Sequence, residues 1–338
     1  MINVYMNSID DNSCADHLYQ SPTGNNNVLN CNFYFDDEEI LDKKISIDFL
    51  VVHNRARPSR LLRNINLNNT LLIAMEPPSV HNYKYKYLKQ FKYVFNLNPD
   101  YKENNKQKEI AIFPWSVGQN RTKLGPVDYK NKKEISFEEL KNYRFDKKKL
   151  ISVVETNKRL CREHLIRDQI ISTLKEKFPE AIDSFGRDGK YIPDKFDMLK
   201  DYHYHICISN YWGENHVDEK IYDPLIAKCN PIYLGAYNIE DHFNTKFYSI
   251  NPNDMNYNIE MIKKILEKKN HEFEFEEQRR MIFTKYNYFT FLSKFIEKNI
   301  SNDIRIGTIK VEDYIFIIKH KIQSILSNTL RYKTFNKK

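Results

Sequence analysis

The sequence predicts an α/β protein of two units, each a parallel sheet covered by helices. Three observations lead there. At 338 residues the chain exceeds what one compact core ordinarily holds. Short apolar runs alternate with helix-periodic stretches, and parallel strands are the ones that need such crossovers. The alternation occurs twice, in series split near residue 148 by a polar, Lys-rich stretch ending in "FDKKKL" (145–150).

In the first series "ISIDFLVV" (45–52), "TLLIAME" (70–76) and "YVFNL" (93–97) read as strands. The second opens with the strand "ISVVE" (151–155). Residues 161–177 follow, with Leu165, Ile166, Ile170 and Leu174 at helical spacing. "HICIS" (205–209) and "PIYLG" (231–235) are further strands, with a short helix carrying Glu219 and Lys220 between them. The expected organisation is a domain over 1–148, a second over 149–300 and a C-terminal helix with a basic tail over 301–338. A cleft is expected between the domains, with ligands at the carboxyl ends of the strands. In the C-terminal segment Val311, Ile315, Ile318, Ile322 and Ile325 mark one apolar face. Lys319 and Lys321 lie off it, and Arg331, Lys333, Lys337 and Lys338 follow. That stripe suits a helix packed on the body. It also suits peripheral contact with an anionic membrane.

The chain is 41% apolar and 14% aromatic, ample for two cores. Lys and Arg outnumber Asp and Glu by 53 to 45, a net charge of +8, which suits anionic partners without selecting one. The basic residues are dispersed and no nucleic-acid motif occurs, so no nucleic acid is expected as a partner. The five cysteines are scattered with no CxxC, which argues against a zinc site or a disulfide framework. Cys207 lies in an apolar run and reads as a buried thiol. The start "MINVYMNSIDDNS" lacks the basic and apolar regions of a signal peptide, and no 18 consecutive residues are apolar. The expectation is a reduced, cytoplasmic protein.

Neither GxGxxG nor GxxxxGK[ST] occurs, so a phosphorylated ligand would be held by side chains and helix ends. Three places offer this, each after a strand. In "ETNKRLCREHLIRDQII" (155–171) a basic loop leads into a helix carrying Arg162 and Arg167, where a guanidinium fork beside a helix N-terminus suits phosphate. In "HVDEKIYDPLIAKCNPIYLGA" (216–236) Asp218 can cap a helix whose first turn holds Glu219 and Lys220. Lysine is on the unfavourable end of the helix dipole there unless an anion is near, and Pro224 should kink or shorten the helix. In "LLIAMEPPSV" (71–80) a strand ends at Glu76 and two prolines fix the path after it, a suitable setting for a general base. Taken singly, each has an ordinary reading: a solvated basic face, a capped helix, a surface turn.

Together and in this order they resemble the α-1,3/4-fucosyltransferases, glycosyltransferase family 10. Phe185-Gly186, Lys195, Leu199, Tyr202, Asn210, Glu219, Lys220, Pro231, Ile232, Tyr233 and Gly235 follow the family's donor-binding pattern. "TNKRLCREHLIRDQII" resembles its Ser-Asn-x…Arg segment and "MEPPS" its Glu-Ser-Pro element. The likeness covers about residues 150–245, and more weakly 70–100. It implies the GT-B architecture, two Rossmann-like domains facing a cleft. It implies an inverting, metal-independent transfer from a GDP-sugar, GDP-fucose by default, to a glycan acceptor. By resemblance Glu76 is the catalytic base, Arg167 and Lys220 bind the diphosphate, and Glu219 holds a sugar hydroxyl. Lys195, Ser209, Asn210, His216 and Asp218 complete the donor site. Two departures bear on the sugar. Ser209-Asn210 replaces Glu-Asn, and His216-Val217-Asp218-Glu219-Lys220 replaces Tyr-x-Thr-Glu-Lys. They leave open another deoxy or amino-deoxy sugar donor, and a non-catalytic glycan- or nucleic-acid-binding protein on the same scaffold is the remaining alternative.

Overall fold

A computed structural model describes residues 1–9, 15–98, 100–103, 106–107, 113–119, 134–156, 158–186, 194–271 and 273–312. The expected C-terminal amphipathic helix and basic tail fall outside the described residues beyond 312. The described residues divide into two compact units, one of 1–114 with 284–312, the other of 115–283.

The strands of the first unit are β1 (Ile2–Asn7), β2 (Asn27–Val28), β3 (Cys31–Tyr34), β4 (Phe49–His53), β5 (Ile65–Asn66), β6 (Thr70–Ala74), β7 (Tyr93–Asn96) and β8 (Lys106–Gln107). Seven form one sheet in the order β2-β3-β1-β4-β6-β7-β8. Every neighbouring pair in it is parallel except β2 with β3. All five residues of β4 and of β6 are buried, as befits central strands covered on both faces. Short helices α1 (Asp37–Asp42) and α2 (Tyr85–Leu88) lie in the connections. On one face Tyr5, Leu50, Val52, Leu72 and Val94 pack with Tyr87, Leu88 and Phe91.

The second unit contains α3 (Phe137–Asn142), β9 (Lys149–Glu155), α4 (Arg162–Lys177), β10 (Ile182–Gly186), β11 (Tyr202–Ile208), α5 (Glu219–Ile226) and β12 (Asn230–Leu234). It continues with α6 (Ile239–Phe243), β13 (Tyr248–Ser249), α7 (Met255–Leu266) and most of α8 (Glu276–Thr284). Its five strands run parallel in the order β10-β9-β11-β12-β13. Ile170, Ile171 and Leu174 of α4 and Ile262 and Ile265 of α7 bury against Ile151, Val153, Ile206 and Ile232. Gly186 ends β10 at φ +109, and a Cβ there would run into the Glu155 carbonyl oxygen, so only glycine fits.

The α/β class with two parallel sheets is therefore as the sequence predicts. The strands read from sequence are all present, with ends shifted by up to four residues. Two divisions differ. Residue 148 lies inside the second unit, because Trp115 and Phe137 pack with Phe283 and draw 115–119 and 134–148 into that core. Residues 284–300 belong to the first unit instead of the second. There α9 (Tyr288–Asn299) sets Phe289 against Phe33, and Phe291 and Phe295 against Phe95. The chain then continues along this unit through β14 (Ile306–Gly307), paired antiparallel with β5. Among the described residues no helix is long and apolar enough to cross a membrane.

Candidate functional site

In the second unit the carboxyl ends of β9, β11 and β12 lead to the starts of α4 and α5 and to the turn at Gly235. That glycine is required, since a Cβ there would collide with the Tyr233 hydroxyl, which itself accepts the Ala236 N–H at 2.9 Å. Asp218 caps α5 as expected. Its Oδ1 accepts the Lys220 N–H at 3.1 Å. Its Oδ2 accepts the Ser209 hydroxyl at 2.9 Å and Lys220 Nζ at 2.9 Å, and His216 Nε2 lies 3.3 Å away. Asp218 is 1% exposed. Burial alone would raise its pKa, but Lys220 and His216 outweigh that and hold it below the usual carboxylate range.

Lys220 also reaches Glu219 Oε1 at 3.1 Å. Burial would lower its pKa, and Asp218 and Glu219 instead raise it. Lys195, in a single 3-10 turn (Lys195–Met198), lies 3.7 Å from Glu219 Oε1 and donates to Asp223 Oδ2 at 2.8 Å. Asp223 Oδ1 takes the backbone N–H groups of Ser116 and Val117 at 2.7 and 3.0 Å. Lys220 and three carboxylates thus occupy the cap and first two turns of α5, and Lys195 reaches them from the 3-10 turn. The charge of Asp218 is met within the protein by Lys220. Pro224 sits in α5, which ends after eight residues at Ile226.

The second cluster lies along α4. Arg162 is exposed, whereas Arg167 is 6% exposed. The Arg167 guanidinium makes a long 3.4 Å bond to Asp168 Oδ1, and its buried Nε meets no acceptor. Burial lowers its pKa, partly offset by Asp168. Asn210 ties the two clusters together through the main chain: Cys161, which precedes α4, points its thiol at the Asn210 carbonyl oxygen at 3.8 Å. Lys195, Ser209, His216 and Glu219 gather around Asp218 and Lys220. Glu76 belongs to the first unit. It is half-buried, two residues past the end of β6, and its N–H donates to the Tyr83 hydroxyl at 3.3 Å.

Sequence reasoning missed His164, Lys158, Asp194 and Asp223. His164 precedes Arg167 by three residues and so shares its helix face, a signal open to the periodicity argument. Its ring is 3% exposed, and its Nδ1 accepts the Leu160 N–H at 3.1 Å. Burial, then the charges of Arg167, Lys158 and Lys220, push it down to about 3. Three cations therefore act on one buried neutral ring. Asp194 accepts the N–H groups of Gly118 and Phe196 at 3.0 and 2.8 Å, a role no local pattern announces. Cys207 is 2% exposed and burial pushes its thiol well above the ordinary value, in keeping with a buried thiol. Among the described residues no three His, Cys, Asp or Glu side chains are grouped to hold a metal ion.

No protein-family model matches the chain, and no curated protein sequence does. Among solved structures the chain is similar to "Crystal Structure of alpha1,3-Fucosyltransferase", with TM-score 0.50, 15% identity, 91% of this chain and 92% of that chain covered. That similarity is one of fold, the two-unit GT-B type. It is also similar to "Crystal Structure of alpha1,3-Fucosyltransferase with GDP-fucose" and "Crystal Structure of alpha1,3-Fucosyltransferase with GDP". They match at TM-scores 0.45 and 0.44, with 16% and 14% identity, 96% of this chain covered in each case, and 90% and 89% of those chains.

The depressed His164 pKa has a definite sign for stability. The unfolded chain takes up a proton near pH 6.5, while the folded protein keeps the ring neutral down to about 3. This contribution is complete above pH 6.5 and is lost as pH falls toward 3. His164→Asn, which keeps an acceptor for the Leu160 N–H, should flatten the acid limb by up to about 1.4 kcal/mol per pH unit. Urea unfolding at pH 7 and pH 5 measures it, and parallel limbs for the two proteins would refute the assignment.

Proposed function

We propose that the chain is an inverting glycosyltransferase of the α-1,3-fucosyltransferase type, a member of glycosyltransferase family 10 that moves fucose from GDP-fucose to a glycan hydroxyl. The observation that carries the reading is Arg167. A buried guanidinium with an unmatched Nε stands on α4, the helix that follows β9, at the same sheet edge from which α5 departs with Lys220. Such a cluster suits a diphosphate better than it suits a structural role. The similarity in fold to an α1,3-fucosyltransferase supports the same conclusion.

In this reading the second unit takes the donor and the first the acceptor. Glu76 accepts the proton of the acceptor hydroxyl as its oxygen bonds to the anomeric carbon. The bond from that carbon to the β-phosphate oxygen breaks on the opposite face, and GDP leaves with the bonding electrons. A β-linked donor then gives an α-linked product. Arg167 and Lys220 stabilise the charge that develops on the leaving diphosphate. Glu219, half-buried beside Lys220, accepts a ribose hydroxyl. Ser209, His216 and Lys195 fix Asp218 and Glu219, the carboxylates that aim Lys220. The pairing of Asp218 with Lys220 meets the carboxylate charge without an amine on the donor, which supports fucose as the sugar proposed. Four buried, unpaired cysteines, Cys31, Cys161, Cys207 and Cys229, suit a reducing compartment.

Arg167→Ala and Lys220→Ala should each weaken GDP binding by about 1.5–3 kcal/mol, the worth of a charge-assisted bond. Calorimetry with GDP measures this, and unaltered affinity in both variants would remove the phosphate site. Glu76→Gln should bind GDP like the wild type yet lose transfer by about 100- to 10,000-fold, the range of a general base. Full transfer by that variant, followed by mass spectrometry, would exclude Glu76 as the base. Transfer should also persist in excess EDTA, since Arg167 and Lys220 supply the positive charge, and a reversible demand for a divalent cation would contradict this.

A further inference from the structure

The turn that carries Glu76 is held by a residue more than two hundred positions later in the chain. After α9 the backbone runs along the first unit on a series of specific bonds. Ser301 exchanges two bonds with Asn69, at 2.8 and 3.1 Å. Asn66 and Asn68 donate to the Asp303 carbonyl at 3.0 and 3.1 Å, and the Arg305 N–H donates to Asn66 at 3.0 Å. Ile309 is 2% exposed and donates to the Leu62 carbonyl at 3.0 Å. Lys310 exchanges two backbone bonds with the Gln90 side chain, at 2.8 and 3.1 Å.

This path delivers Glu312 to the Glu76 turn. Glu312 is 7% exposed and uses both carboxylate oxygens there. Oε2 lies 3.0 Å from His81 Nε2, and Oε1 accepts the Lys84 N–H at 2.9 Å. His81 is 4% exposed and stands edge-on to Tyr83, with ring centroids 4.4 Å apart. The Tyr83 hydroxyl bonds to Asn54, at the end of β4, and accepts the Glu76 N–H at 3.3 Å. Within the turn, the Val80 and His81 N–H groups both reach the Pro77 carbonyl at 2.9 Å. The segment 76–84 is thus fastened on the β4 side through Tyr83 and on the other side through Glu312.

We propose that Glu312 is a positioning residue for Glu76: with His81 it clamps the turn so that Tyr83 fixes the backbone of the base. A carboxylate this buried costs desolvation unless it is well paired. A surface loop needs no such group, whereas a base that must stay within a fraction of an ångström of its target does. The proposal rests on the reading of Glu76 as the base.

The test uses Glu312→Ala and Glu312→Gln beside Glu76→Gln, each first checked by thermal melting. Transfer from GDP-fucose to the best acceptor of an oligosaccharide panel, and amide exchange across 75–84, are then measured. Glu312→Ala should lower kcat about ten- to a hundredfold with the donor KM unchanged, and exchange across 75–84 should rise. Glu312→Gln, which keeps an acceptor for the Lys84 N–H, should fall between that variant and the wild type, and it carries the test if the alanine variant does not fold. Wild-type kcat in the Glu312 variants while Glu76→Gln is inactive would overturn the clamp. If Glu76→Gln stays active, the base assignment is what fails. The amide exchange then decides the clamp alone, and unchanged exchange overturns it.

Discussion

Parallel pairing governs where chemistry can occur in this chain. Parallel strands send all their carboxyl ends to one edge of the sheet, and each end must feed a loop into a covering helix. In the second unit β9 and β11 therefore release Glu155 and Ser209 at the same edge from which α4 and α5 depart. Arg167, His164 and the Asp218–Lys220 pair inherit their proximity from that rule, with no need for any of them to attract another during folding. In the first unit the same rule brings Asn54, after β4, beside the turn that follows β6, so that Tyr83 can join Asn54 and Glu76.

The charges at the start of α5 are arranged differently from those on α4. Lys220 and Lys195 are each already matched by carboxylates, and breaking such a buried group by removing one partner costs more than the group contributes as a whole. Arg167 has no comparable partner, since the 3.4 Å bond to its neighbour Asp168 leaves most of its donors unused. The two cations therefore suit different tasks. Lys220 is a held charge whose position is set before any ligand arrives, and Arg167 is a fork with bonds to give. A group that is held and a group that is unspent together make a site that is preorganised and still has capacity.

Much of this was legible in the sequence, for reasons that can be traced to particular residues. The apolar runs of β4, β6, β9, β11 and β12 are buried on both faces and announce themselves without any partner. Asp218 as a helix cap, and Pro224 as the mark of a short helix, are local statements that depend only on neighbouring backbone. What escaped is non-local. Tyr288–Asn299 is amphipathic on any sheet, and nothing within it says that Phe289 and Phe295 meet Phe33 and Phe95. Asp223 looks like an ordinary helix residue until Ser116 and Val117 arrive from a hundred positions earlier. His81 and Glu312 are an unremarkable histidine and an unremarkable acid until the asparagines at 66, 68 and 69 bring them together. The N-terminal strand Ile2–Asn7 carries Ile2, Val4, Tyr5 and Met6 and was open to the same local reading, while its place between β3 and β4 is non-local.

The discontinuous first unit has a consequence for synthesis on the ribosome. Among the described residues the second unit draws only on 115–283, so its sheet can be completed as soon as residue 283 clears the exit tunnel. The first unit begins earlier but lacks α9, β14 and the 301–312 strap until residues beyond 283 have been made. Its aromatic sheet face, with Phe33 and Phe95, must wait uncovered during that interval. The usual order, in which domains mature from the N-terminus onward, is inverted here. The sheet of the second unit can close first, and the first unit is sealed by a segment that emerges after it.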